Sequence, residues 1–181
     1  MPHTETMLES QRIYEGKILN LRKDKVLLEN GRTSWREVVE HKGAAAVVAV
    51  DEKDNLLLVR QYRYALGQEL LEIPAGKLDH EGEDPRSAAA RELREETGCL
   101  AGELEYLGAF YPSVGYGTEV IHLFEAHKLT QAAQQLDEDE FLDVVRLPVA
   151  KAVEMALSGL FPDGKTQCAI LRLAACREGK Q

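Results

Sequence analysis

Residues 76–99 read GKLDHEGEDPRSAAARELREETGC, and this stretch decides the fold. Asp84-Pro85 opens a helix, because Asp caps a helix N-terminus well and proline is tolerated at the first helical position. Gly98 closes it. Glu92, Glu95 and Glu96 stand three and four residues apart, so their carboxylates crowd neighbouring parts of one helix face. Ala89, Ala90, Leu93 and Thr97 fall on the opposite side and are expected to pack on a sheet. Like charges at this spacing repel, and the C-terminal half of a helix disfavours anions. A hard divalent cation removes that penalty, since Mg²⁺ takes carboxylate and phosphate oxygens together. Taken alone, the acidic triplet reads first as a solvated face with pairs such as Glu92–Arg94 or Arg91–Glu95. Its flanks change that reading. Pro74-Ala75-Gly76 forms a tight loop in which a backbone carbonyl can face the same cation, and Glu83 is placed to form a salt bridge with Arg91 that clamps loop to helix.

Before this segment, Ala44–Val50 is an uninterrupted apolar run, expected as a strand buried on both faces. Asp51–Asn55 is a turn, Leu56–Val59 a partner strand running into Arg60-Gln61-Tyr62-Arg63, and Glu69–Ile73 a third strand. After the helix come strand-like runs at 104–110, 120–126 and 141–147, then helical periodicity at 149–157 and 166–175, the second capped by Asp163. Residues 12–41 form a β-rich leader in which Asn30-Gly31 marks a hairpin. The leader is too polar for a core of its own. The expected organisation is an N-terminal β-rich dimerisation and substrate segment, residues 1–42, followed by a mixed α/β domain, residues 43–181.

The chain has 181 residues, with 22 basic and 31 acidic side chains and a net charge of −9. A general nucleic-acid binder would carry a basic stripe instead, so no nucleic-acid partner is expected. A phosphate-bearing small ligand stays compatible, because local arginines and a cation reverse the field within one cleft. The first ten residues lack the apolar core of a signal peptide, and no apolar run approaches the ~18 residues of a membrane helix. Cys99, Cys168 and Cys176 form no CxxC pair. They read as buried reduced thiols in a cytoplasmic protein without a membrane partner.

The 76–99 segment resembles the Nudix box, in which Gly and Glu precede Arg-Glu-aliphatic-any-Glu-Glu-any-Gly-aliphatic. Gly76, Glu83, Arg91, Glu92, Leu93, Glu95, Glu96 and Gly98 match. Six residues rather than five separate Gly76 from Glu83, which places a one-residue insertion at Asp79-His80-Glu81, and Cys99 replaces the last aliphatic. The resemblance extends through REVVEHKGA, VRQYRYALGQELLEIPAGKL, YPSVGYGTEVIHLFEA and DEDEFLDVVRLP, which look like the ADP-ribose pyrophosphatase branch.

This resemblance implies a Nudix-type α/β/α sandwich with a mixed sheet and an N-terminal β extension. It implies hydrolysis of ADP-ribose to AMP and ribose 5-phosphate with Mg²⁺ or Mn²⁺, by homodimers built through the leader. It further implies Glu92 and Glu96 as main metal ligands, with Glu95 contributing and the Ala75 carbonyl completing the site. Arg91 and Glu83 are implied as the pair that orients the helix, and Glu140, chosen over Glu138, as a base on the loop before the last strand. Arg36, Arg60 and Arg63 are expected on the substrate's diphosphate and ribose. Trp35 is expected either to stack on adenine or to anchor a core or dimer interface, and Glu72 to hold a ribose hydroxyl or support the metal ligands. Tyr111–Gly115 reads as a substrate loop, with Val114 where many relatives have proline. His41, His80, His122 and His127 show no ligand spacing with the acidic cluster. The alternatives are a Nudix hydrolase acting on a sugar nucleotide, NADH, FAD or a diadenosine polyphosphate, and a non-catalytic ADP-ribose sensor.

Overall fold

The computed structural model describes residues 3–79 and 82–179, which fall into two compact units. His80 and Glu81, at the inferred insertion, lie outside the described residues.

The first unit holds residues up to Gly43 together with Tyr111–Val120. Strands β1 (Thr6–Glu15), β2 (Asn20–Leu27) and β3 (Thr33–Glu40) form an antiparallel sheet in that order. The β structure thus begins at Thr6, earlier than the residue 12 expected, because the polar β1 sequence carries little apolar alternation. The hairpin turn lies where Asn30-Gly31 places it. Gly31 takes a φ of 79°, and the Asn30 side chain accepts a hydrogen bond from the Arg32 amide at 3.0 Å. The 111–120 segment is tied to β3, with Val39 N–H donating to Tyr116 O at 2.8 Å and Thr118 N–H to Val39 O at 3.0 Å.

The second unit is built on one mixed sheet. Its strands are β4 (Ala44–Val50), β5 (Asn55–Arg63), β6 (Gln68–Glu72), β7 (Ala75–Lys77), β8 (Cys99–Phe110), β9 (Ile121–Gln131) and β10 (Leu142–Pro148). The main order is β10-β5-β4-β9-β8. Every residue of β4 is buried, and β4 pairs parallel with β9 along its length, as a two-sided apolar strand should. Helix α1 (Pro85–Thr97) covers one face through Ala88, Ala89 and Leu93, which meet Ala45, Val47, Ala49 and Phe124. Helices α2 (Val149–Leu157) and α3 (Gly164–Glu178) cover the other through Ala152, Ile170 and Leu173. The α/β/α sandwich is therefore as expected. Ala90, expected on the inner side of α1, is exposed, and Ala88 takes its place, because Glu92 and Glu96 themselves occupy part of the buried arc. The thiols also differ from the expectation. Cys99 is buried at the start of β8, Cys168 is half-buried, and Cys176 on the last turns of α3 is exposed. Among the described residues, no helix is long and apolar enough to cross a membrane.

The sheet contains a wedge that positions the chemistry. β4 meets β5 only at Ala49–Leu57 and Val50–Leu56, and the two strands then diverge. β6 continues along β5 and β7 along Ala44–Ala46 of β4, so the 68–77 segment fills the opening. At its apex, Val47 N–H donates to Pro74 O at 2.9 Å.

Helix α3 is fastened to the same wedge. Asp163 caps it by accepting from Thr166 N–H at 3.0 Å, and the Thr166 hydroxyl in turn accepts from Ile73 N–H at 3.0 Å. Beside this contact Glu72, only 2 % exposed, accepts from Arg63 Nε at 2.7 Å and Nη2 at 2.8 Å, and from the Lys165 ammonium. Burial by itself raises the Glu72 pKa, but the two cations override it and hold the carboxylate down at about 2. A folded-state pKa below the ordinary 4.5 gives stability that is full above about pH 4.5 and is lost as pH falls toward 2. Urea denaturation from pH 7 to pH 2.5 should therefore show an acid limb that flattens in Glu72→Gln. An unchanged acid limb in that variant would show that the triad contributes no pH-dependent stability.

Candidate active site

Gly98, with φ 66°, ends α1, and its N–H donates to Arg94 O at 2.9 Å. The chain beyond β9 then satisfies carbonyls that the helix end leaves without partners. Gln134 Nε2 donates to Glu96 O at 2.6 Å, and Gln135 N–H to Glu95 O at 3.0 Å. This docking leads directly into the 136–140 loop, which brings Glu140 to the acidic end of α1.

Glu92 and Glu96 are buried, at 9 % and 2 % exposed, while Glu95 is half-buried. They are therefore not a solvated face. Ala75 N–H donates to Glu96 Oε2 at 3.0 Å. A Cβ at Gly76 would overlap the Glu92 carboxylate, so any side chain there would displace that carboxylate from its present position. Burial, then Glu95 and Glu140, push the Glu92 pKa up to about 7 against the opposing Arg91 charge. Burial and Glu92 push Glu96 up to about 8 although the Ala75 amide opposes this. Burial and the neighbouring charges of Asp137 and Glu95 also raise Glu140, with the Asp137 amide and Arg63 acting against them.

Arg91 answers part of this charge. Its Nη1 donates to Glu92 Oε1 at 2.7 Å and to Glu95 Oε2 at 3.0 Å. Nη2 donates to Lys77 O at 3.2 Å and lies 3.7 Å from Glu83 Oε1 and 3.4 Å from Asp79 Oδ2. Glu83 in turn accepts from the Asp79 amide at 2.5 Å. Loop and helix are thus joined through one guanidinium.

Among the described residues, no three Asp, Glu, His or Cys side chains converge as a ready cage for a metal ion. Glu92 and Glu95 are turned onto Arg91 instead. The donor set nonetheless fits a hard divalent cation. It consists of carboxylate oxygens with a backbone strand beside them, and two of the carboxylates carry burial and repulsion that one guanidinium does not relieve.

A cleft of about 380 Å³ lies next to this cluster, lined by Arg60, Tyr62, Glu69, Leu136, Glu140 and Phe141 among others. Glu140 belongs to it, whereas the exposed Glu138 does not line it. Arg60 faces this cleft, and Arg63 lies within electrostatic reach of Glu96 and Glu140. Tyr62 and Phe141, 56 % and 78 % exposed, join this cleft although no motif in the sequence marks them. Their signal was adjacency to Arg63 and Glu140. Lys165 was missed as well, and its signal was its position two residues after the Asp163 cap. Glu72, expected either on a ribose hydroxyl or as support for the metal ligands, is buried and accepts from Arg63 Nε and Nη2 and from the Lys165 ammonium.

In the first unit, Arg36 pairs with Glu5 and also donates to Ser34 Oγ at 3.1 Å. Trp35 is 48 % exposed with Lys23 Nζ 4.9 Å from its ring centroid, so it is not a core anchor of this chain. His41 faces Glu119 at 3.5 Å, His122 contacts Tyr106 Oη at 3.3 Å, and His127 pairs with buried Glu125.

Known proteins resemble this chain over most of its length. The profile of the NUDIX domain matches residues 40–165, and that of the nucleoside diphosphate sugar hydrolase N-terminal domain matches residues 5–39. The chain is 42% identical to a methanol dehydrogenase activator of Bacillus methanolicus and 40% identical to an ADP-ribose pyrophosphatase of Bacillus subtilis. Each of these alignments covers 92% of this chain and 90% of the relative. An ADP-ribose pyrophosphatase of Mycobacterium tuberculosis is 35% identical over 98% of this chain and 86% of its own. A crystal structure of an ADP compounds hydrolase shares the fold with a TM-score of 0.85 at 24% identity, covering 97% of this chain and 95% of that one. The acidic helix, its glycine-lined strand and its guanidinium clamp thus lie in a chain that belongs to the Nudix hydrolase family.

Proposed function

We propose that this protein hydrolyses the diphosphate bond of ADP-ribose, adding water to give AMP and ribose 5-phosphate. The observation that carries the reading is the buried Glu92–Glu96 pair against Ala75-Gly76 in a chain aligned almost end to end with two ADP-ribose pyrophosphatases. Glu92 and Glu96, with Glu95 and the Ala75 carbonyl, would hold Mg²⁺ or Mn²⁺. Such a cation supplies charge neutralisation at the phosphates and a more acidic water.

The chain's own groups do the rest. Glu140 accepts the proton of the attacking water, a role that its raised pKa and cleft position support. Arg60 and Arg63 present guanidinium donors to phosphate and ribose oxygens. Arg91 and Glu83 hold the helix against the loop. The net charge of −9 favours this small anion bound through local cations over a nucleic-acid partner. The leader makes the protein a homodimer, in which Trp35 and Arg36 of one protomer complete the site of its partner. Support comes from β1, exposed along its full length with Met7, Leu8, Ile13 and Tyr14 uncovered.

The deciding experiment is turnover of ADP-ribose, sugar nucleotides, NADH, FAD and diadenosine polyphosphates with Mg²⁺ or Mn²⁺ in ¹⁸O-water. ADP-ribose should give AMP and ribose 5-phosphate at the highest kcat/KM, and Glu92→Gln should nearly abolish this with circular dichroism unchanged. Tight binding of ADP-ribose without turnover would make the chain a sensor instead. Glu140→Gln should lower kcat about 10²–10⁴-fold with KM little changed, whereas Glu138→Gln should stay near the parent. The reverse pattern moves the base to Glu138. Mixing inactive Glu92→Gln and Arg36→Ala protomers should restore part of the activity, because one site of each mixed dimer then carries neither lesion. Verified mixed dimers without recovery would rule out cross-protomer completion.

A further inference from the structure

The charges around Glu72 do not stop at one ion pair. Arg63 grips Glu72 with the Nε–Nη2 edge of its guanidinium, at 2.7 and 2.8 Å, which leaves Nη1 outside the pair. Lys165 stands on the other side of Glu72. Its ammonium donates to Glu72 Oε2 and to Asp163 Oδ2, the latter at 3.0 Å, and its side chain is only 12 % exposed. Two carboxylates, Glu72 and Asp163, and two cations, Arg63 and Lys165, therefore balance in a largely buried cluster. Glu96 and Glu140 also interact electrostatically with Arg63, so Arg63 is the member that couples the cluster to the acidic end of α1.

Removal of the Lys165 charge would leave Arg63 as the one cation of the cluster for two carboxylates. The cluster would become net negative beside an already acidic site, and the field of Arg63 would be spent on Glu72 and Asp163. A buried carboxylate left short of a partner draws the nearest donor toward it. A guanidinium has five N–H donors, and only those on the edge not held by Glu72 are open to a second anion.

We propose that Lys165 is a positioning residue that neutralises Asp163 and shares Glu72, and so keeps the outer edge of Arg63 free and positive for a phosphate oxygen of the substrate. The proposal rests on the reading of this site as a diphosphate site. It adds a residue that touches no substrate and acts from the first turn of α3. It also accounts for the fastening of that helix to the wedge by Thr166 and Ile73, since Lys165 must be held at a fixed height beside Glu72.

Lys165→Met, Lys165→Arg, Arg63→Met and the double variant Lys165→Met/Arg63→Met test this in the full-length protein. The probes are inorganic pyrophosphate binding by calorimetry and steady-state hydrolysis of ADP-ribose. Lys165→Met should weaken pyrophosphate binding and raise KM about tenfold, equal to ~1.4 kcal/mol, with kcat within about threefold. Lys165→Arg should restore both to within about threefold of the parent. In the Arg63→Met background, Lys165→Met should change affinity by less than about twofold, because its effect is routed through Arg63. Lys165→Gln, which keeps a donor without the charge, replaces Lys165→Met if the latter fails to fold. A folded, uncharged variant with parental pyrophosphate affinity would overturn the proposal. So would a loss confined to kcat, or additive losses in the double variant. If ADP-ribose is not hydrolysed at all, the functional reading fails by itself, and pyrophosphate binding still decides the role of Lys165.

Discussion

Two carboxylates buried on one edge of α1 set the terms for the rest of the structure. Glu92 and Glu96 sit where a helix would ordinarily place Ala or Leu against a sheet, and burial raises the pKa of both. Nothing in local helix chemistry favours that arrangement, since neighbouring like charges near a helix C-terminus oppose it. It persists because surrounding groups are arranged around the charge. Ala75 offers an amide to Glu96, Gly76 withholds a side chain from Glu92, and Arg91 reaches across to Glu92 and Glu95 while holding the loop that carries Glu83. Carboxylates gathered and desolvated in this way match the donor chemistry of a hard divalent cation.

The divergence of β4 and β5 makes that geometry possible. A continuous antiparallel pairing would leave no opening for the 68–77 segment, and Ala75 would not reach α1. The wedge brings three things to one place: the amide facing Glu96, the buried Glu72 with its two cations, and the N-terminus of α3. Arg63, held on Glu72, thereby couples electrostatically to Glu96 on α1 and to Glu140 on the following loop.

Relatives at nearly the same identity bear different names, an activator of a dehydrogenase and a pyrophosphatase. Both alignments span nine-tenths of this chain, so overall identity alone does not separate the two names. Function is argued from the site and not from the fold, and here the cleft beside Glu140 presents Tyr62 and Phe141, both largely exposed.

Helix α1, its Asp84 cap, its Gly98 stop, the two-sided β4 strand and the carboxylate spacing were all legible in the sequence, because each rests on local rules of capping, periodicity and side-chain spacing. The start of the leader at Thr6 was not legible, because β1 buries nothing within this chain and so carries no apolar alternation. The inner face of α1 was misread at Ala90, because the tertiary structure gave the buried arc to two glutamates that local chemistry would place in water. Glu72 and Lys165 stand 93 residues apart, and their meeting depends on strand divergence and on the packing of α3. The sequence by itself determined the spacing of the carboxylates and where the helix carrying them begins and ends. Only the tertiary structure decided which carboxylates are desolvated, which arginine edge remains open and which lysine keeps it so, because desolvation and charge pairing arise from neighbours that only the folded chain assembles.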